Sequence, residues 1–173
     1  MKKALLVIDM QNVCVGKEHD KWFQYDNHSL LHAVNQVILE NVDNTTVYTK
    51  NIMKKNLINH FAPFQAYEGS KEVELVEELD IRTEHIFEKY APDAFSNPKL
   101  DELLISQKID TLELIGVDGG GCVAITALSA IKRGYRVIIN EAAIGTTPAL
   151  KKKKEKYDKQ LRKLGAEFLL EKN

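Results

Sequence analysis

Residues 113–139 read ELIGVDGGGCVAITALSAIKRGYRVII: an apolar run, three adjacent glycines, a cysteine, and a second apolar run. The residues before the glycines predict a strand covered on both faces, because apolar side chains stand at consecutive positions and not at alternate ones. Beyond Cys122, Ile125, Leu128 and Ile131 recur at helical spacing, which predicts a helix over Val123–Arg133 with one buried side. Arg136–Ile139 is again strand-like. A strand, a helix and a second strand in one stretch make the βα unit of a parallel sheet.

The same alternation continues outward in both directions. Ala4–Ile8, Thr45–Thr49, Glu84–Phe87, Thr111–Ile115, Arg136–Ile139 and Glu167–Leu170 predict six strands. Leu30–Leu39, Glu72–Leu79, Pro98–Ser106, Val123–Arg133 and Pro148–Leu164 predict helices between them. The expected fold is α/β, a three-layer doubly wound sandwich with a six-stranded parallel sheet and helices on both faces. No linker or repeat divides the chain, so residues 1–173 read as a single domain. The longest irregular segment, Lys50 to Ser70, exceeds the usual connection and reads as a functional loop.

Charge and composition narrow the partners. The formal net charge is −1, and hydrophobic and charged residues make up 44% and 28% of the chain, ordinary values for a globular protein. Nothing in that balance offers a basic surface to nucleic acid or to an anionic membrane, so a small-molecule partner is expected. The opening MKKALLVIDMQN is broken early by Asp9 and Gln11 and reads as a buried strand, not a signal peptide. Two cysteines without a CxxC spacing fit a reduced, cytoplasmic protein. The lysine run Lys151–Lys154 reads as a solvated helix face beside Glu155 and Asp158.

Parallel sheets carry their sites beyond the carboxyl ends of the strands. Asp9 follows the first strand, Lys89 the third, and the glycines and Cys122 the fourth. An acid, a base and a thiol at one sheet edge are the ingredients of nucleophilic catalysis. The glycines do not make a phosphate loop: Gly116 and Gly121 have the spacing, but Cys122-Val123 stand where Lys and Ser or Thr are required. Nor do they meet the three offsets of a dinucleotide fingerprint. A nucleophile turn fits better, with Cys122 opening a helix and Val117, Asp118, Gly121 and Cys122 forming an oxyanion loop. A thiol at a helix N-terminus is expected to have its pKa drawn from about 8.5 toward neutrality. The plainer readings are a small buried cysteine, an acid that caps a turn and a solvated lysine.

Three motifs share a further likeness. Asp9-Met10-Gln11 matches a D-x-Q that closes a first strand. Lys89 is followed by Asp93-Ala94-Phe95, close to an S-A-F segment. Cys122-Val123-Ala124-Ile125-Thr126-Ala127-Leu128-Ser129-Ala130 matches C-V-x-x-T-A-x-x-A. Together they resemble the isochorismatase-like cysteine hydrolase superfamily, which includes nicotinamidases and N-carbamoylsarcosine amidases. The resemblance implies sheet order 3-2-1-4-5-6, a cis peptide at Val117–Asp118 and a homodimer or homotetramer. It also implies that Cys122 attacks a carbonyl-type carbon, Asp9 takes its proton and later activates water, and Lys89 stabilises the developing charge. Gln11 and Phe95 are read as substrate-pocket residues, and Trp22, Phe23, Tyr25 and Tyr90 as further candidates.

Departures from the pattern bear on the substrate. Asn51 and Met53 stand where nicotinamidases place a metal-binding acid and histidine, and His60 alone makes no site, so neither a metal nor another cofactor is expected. Gly119 and Gly120 replace two polar residues, which implies a barer and more flexible oxyanion loop. Asp93 replaces the serine and is expected to place an acid near the entrance, favouring a cationic substrate. The retained cysteine favours an amide or ureido substrate. The alternatives are a redox protein using a Cys14–Cys122 disulfide, a non-catalytic small-molecule binder, and an isochorismatase or nicotinamidase-type enzyme.

Overall fold

Every side chain from Ala4 to Ile8 is fully buried. Leu5 and Val7 enter one apolar cluster, while Ala4, Leu6 and Ile8 enter another. A period of two in side-chain direction, with both sides apolar, demands a layer on each face of the strand. The computed structural model describes residues 1–170; residues 171–173, included in the single-domain expectation, lie outside the described residues.

Six strands form one parallel sheet: β1 (Lys3–Ile8), β2 (Thr45–Asn51), β3 (Ile86–Lys89), β4 (Thr111–Val117), β5 (Arg136–Gly145) and β6 (Glu167–Leu169). Their order is β3-β2-β1-β4-β5-β6, with all neighbours parallel. Among the described residues six α-helices accompany them: α1 (Asn12–Val15), α2 (Asn27–Glu40), α3 (Leu57–His60), α4 (Pro98–Ser106), α5 (Cys122–Lys132) and α6 (Lys151–Lys163). Helix α2 packs Leu30, Val34, Val37 and Ile38 on the face that holds Leu5 and Val7. Helices α4, α5 and α6 cover the other face through Leu100, Leu104, Ala127, Ala130 and Leu161. Each fully buried Leu, Ile or Val stabilises the fold by about 1.5–3 kcal/mol, so the two layers carry most of the drive to fold.

Four expected elements differ. Glu72–Leu79 is not a helix. Only Lys71–Val73 forms a 3-10 turn, Leu75 bridges to Gln11 in the loop after β1, and Glu77–Leu79 is a turn. Val76 N–H donates to Met10 O and Asn12 N–H to Glu74 O, so the middle of this segment pairs with the loop after β1. Val73, Val76 and Leu79 are still buried; a spacing of three suited this docked segment as well as it suits a helix. Strand β3 ends at Lys89, two residues beyond its expected limit, and β5 continues through polar residues to Gly145. Asn140 donates to buried Glu113, and Glu141 pairs with Lys154, so those polar residues find partners within the sheet and its covering helix. At the other end, Pro148–Leu150 is a 3-10 turn and α6 begins at Lys151.

Candidate active site

The strand order places the carboxyl end of β1 between those of β2 and β4. Asp9, the residue after β1, has φ 52°, in the left-handed region that aspartate tolerates better than most side chains. Its carboxylate accepts Thr49 Oγ1–H at 2.7 Å and Lys89 Nζ at 2.7 Å. Lys89 comes from β3, two strands away, and its side chain crosses β2 to arrive there. Its Nζ also donates to Asn51 Oδ1 at 3.2 Å and Ala91 O at 3.3 Å, and lies 3.4 Å from Cys122 Sγ. Asp9, Lys89 and Cys122 are thus one hydrogen-bonded group, and Asp9 and Lys89 are almost wholly withdrawn from water.

The electrostatics depart from expectation. The Cys122 thiol is pushed up to about 12 by burial and then by the Asp9 charge, which outweigh Lys89. This runs against the expected fall toward neutrality: one ammonium opposes both desolvation and an adjacent carboxylate. For Lys89, burial pulls the ammonium down, but Asp9 and Cys122 together hold it above the usual lysine value. Cys14, in α1, is buried beside the same site, and burial with the Asp9 charge holds its thiol well up. Both cysteines are free thiols.

The glycine loop is built around Asp118. The Val117–Asp118 peptide is cis. Asp118 Oδ1 accepts Gly120 N–H, Oδ2 accepts Thr147 N–H and Tyr25 OH, and the main-chain oxygen accepts Gly121 N–H. Burial raises the carboxyl pKa against these donors. Among the described residues, the N–H groups of Asp118 and Cys122 have no protein acceptor. Gly119 and Gly120 do not loosen this loop. A Cβ on Gly120 would stand 2.5 Å from Leu150 O, and one on Gly119 2.5 Å from Thr146 Oγ1. The segment between β5 and α6 lies directly on the loop, and only glycine lets it approach.

A cavity of about 110 Å³ opens onto Cys122, with Trp22, Phe23, Phe64, Cys14 and Leu150 in its wall. Val117, Asp118, Gly121 and Gln11 also line it. Gln11 does not present its amide there: Nε2 donates to Asn51 O and Val73 O, and Oε1 accepts Asn51 N–H. It positions the β2 end. Phe95 is not in the wall. It packs in the opposite layer, with its ring 6.0 Å from that of Tyr135 and the Arg133 guanidinium 4.3 Å from its centre. The turn carrying it is tied to α5, where Thr126 Oγ1 accepts Ala94 N–H, and this swings Phe95 away from the cavity. Asp93 likewise holds Phe95 N–H and Ser129 Oγ, and adds no free acid at the entrance.

The residues at the end of β2 are engaged elsewhere. Asn51 Oδ1 is taken by Lys89, Met53 bridges toward Tyr67, and His60 is exposed on α3. Among the described residues, no group of three or more His, Cys, Asp or Glu is placed to hold a metal ion.

The isochorismatase domain model matches residues 3–169. This chain belongs to the isochorismatase family. An N-carbamoylsarcosine amidase of Arthrobacter sp is 40% identical over 62 residues, 36% of this chain and 24% of that protein, so this chain spans only about a quarter of the relative it matches. Two solved structures share the fold over nearly their full lengths. An isochorismatase-like hydrolase from Alkaliphilus metalliredigens has TM-score 0.82 and 25% identity, covering 98% of this chain and 95% of its own. An N-carbamoylsarcosine amidase from Thermoplasma acidophilum has TM-score 0.81 and 26% identity, covering 98% and 96%.

In this isochorismatase-family chain two site residues escape sequence reading. Thr49 holds Asp9, and Asn51 touches Lys89 from the next same-facing position of β2. The available signal was the two-residue alternation at the end of a strand whose neighbour carries Asp9.

Proposed function

We propose that this chain is a cysteine-dependent amidohydrolase acting on a small amide or ureido substrate through a covalent intermediate on Cys122, a thioester from an amide or a thiocarbamate from a ureido compound. The observation that carries the reading is the contact of one ammonium, Lys89, with both Asp9 and Cys122 in a water-poor site. A thiol with a raised pKa is a poor resting nucleophile, so its proton leaves as attack begins, and the Asp9 carboxylate receives it. Sγ bonds to the carbonyl carbon, and the oxyanion takes the free N–H groups of Asp118 and Cys122. Asp9 returns the proton to the leaving nitrogen as the C–N bond breaks. Water then gives Asp9 a proton and attacks the S-acyl carbon; the C–S bond breaks, and Asp9 returns that proton to the sulfur. Lys89 keeps the negative charge balanced throughout.

On this reading the protein acts on small molecules in the cytoplasm as a homodimer or homotetramer. Ammonia release from a panel of primary amides and ureido acids tests the activity. Cys122→Ala is expected to abolish release, and Asp9→Asn to reduce kcat by roughly 10²-fold or more. Release that survives Cys122→Ala would overturn the covalent mechanism.

A further inference from the structure

The loop before Cys122 spends its donors one by one. Gly119 N–H donates to Gly145 O at 2.9 Å and Gly120 N–H to Asp118 Oδ1 at 2.7 Å. Gly121 and Val123 N–H donate to Asp118 O at 2.9 and 3.2 Å. From residue 119 to 123, Cys122 N–H alone is left over among the described residues. Asp118 therefore takes up Gly120, Gly121 and Val123, one on its carboxylate and two on its main-chain oxygen. Without the carboxylate, Gly120 N–H becomes a second loose donor, and the turn that aims Cys122 N–H loses its brace.

The carboxylate also reaches out of the loop. Its Oδ2 accepts Thr147 N–H at 2.7 Å and Tyr25 O–H at 3.0 Å. The Thr147 hydroxyl in turn donates to Trp22 O at 2.7 Å. Trp22, with Phe23 and Leu150, walls the cavity at Cys122. One side chain, only 8% exposed, thus joins the donor loop to two separate parts of the cavity wall. Each of its oxygens faces a main-chain N–H, a group that can only donate. An asparagine there would turn its NH2 onto one of those N–H groups whichever way the amide was flipped. Only a carboxyl group with both oxygens accepting satisfies the pair.

We infer that the Asp118 carboxylate is a positioning group for the oxyanion: it fixes the glycine loop so that Cys122 N–H meets the reacting carbonyl oxygen. It supplies, one residue earlier, the polar support that Gly119 and Gly120 lack. This rests on the oxyanion step of the hydrolase reading, and not on the identity of the substrate or on turnover.

Two reagents that meet the same thiol separate positioning from general loosening. Acetaldehyde is small enough for a cavity of about 110 Å³. Cys122 Sγ bonds to its carbonyl carbon, the π pair moves to the oxygen, and the thiol proton ends on that oxygen; no group leaves. Iodoacetamide alkylates the same sulfur with loss of iodide and builds no charge on a carbonyl oxygen. Aldehyde affinity is read from protection against iodoacetamide. It is read again from the tetrahedral carbon signal of carbon-13-labelled acetaldehyde, a signal lost in Cys122→Ala. The measure is that affinity divided by the alkylation rate. Asp118→Asn is expected to lower it about tenfold, less than the loss of a whole oxyanion donor costs. Asp118→Ala removes the acceptor without setting an NH2 against an N–H, and is expected to lower it less than Asp118→Asn does. Tyr25→Phe keeps both N–H bonds, and a fall of about threefold is expected for one lost hydrogen bond. A native value in Asp118→Asn, a larger fall in Asp118→Ala, or affinity and alkylation rate falling together in all three variants would overturn the inference. So would the absence of an adduct in the native chain. An adduct with the expected order of variants, but no ammonia release from any amide, would sink the hydrolase reading and leave the inference standing.

Discussion

Cys122 stands between a carboxylate that holds its proton and an ammonium that draws it off, and the two neighbours act with opposite sign. Their removal therefore separates reactivity from turnover. Asp9→Asn is expected to lower the thiol pKa and speed alkylation at pH 8, by about tenfold for each pKa unit recovered, while hydrolysis fails. Lys89→Ala is expected to slow both. Iodoacetamide rates across pH 6–10 measure this, and slower alkylation in Asp9→Asn would show that the carboxylate does not restrain the thiol. The identities of Asp9, Lys89 and Cys122 were legible as single residues behind apolar runs. Their balance was not, since desolvation depends on what surrounds the sulfur and not on its place at a helix start. The position of Phe95 was not legible for a related reason: a motif gives its place in the chain, while the hydrogen bond from Ala94 N–H to Thr126 ties its turn to α5.

At the level of elements, the glycine loop is held from outside by the segment that joins β5 to α6. A methyl group on Gly120 meets a main-chain oxygen, which can move only with its backbone; on Gly119 it meets the side chains of Thr146, Ile144 and Lys154. Gly120→Ala is therefore expected to cost about 1–3 kcal/mol, as overpacking usually does, and Gly119→Ala less. Thermal unfolding orders the two variants, and a larger loss for Gly119→Ala would count against this packing. Strand-to-helix periodicity found β1, β2, β4, α2, α4 and α5 because each buries a regular face. It failed for Glu72–Leu79, where burial every third residue comes from docking against Met10 and Asn12, a contact with a distant segment.

For the whole molecule, several buried groups push stability in one direction with pH. Cys14, Cys122, Tyr25 and Lys89 all have raised pKa values in the fold. A raised pKa contributes stability that is fully present below the unfolded value and is lost as pH rises toward the folded one. For the thiols that window opens near pH 8.5–9 and, for Cys122, extends to about 12. The melting temperature is expected to hold from pH 6 to 8 and to fall above pH 9, with a shallower fall in Cys14→Ala. A flat profile between pH 8.5 and 10.5 would refute the burial of these thiols. By itself, the sequence determined the layers and the edge: apolar periodicity is a local property, and strand ends can be counted along the chain. Motif likeness added the strand order. Only the tertiary structure decided which groups at that edge touch and which side chains wall the apolar pocket at Cys122. These depend on residues far apart in sequence meeting in space, and such distances are not written in local spacing.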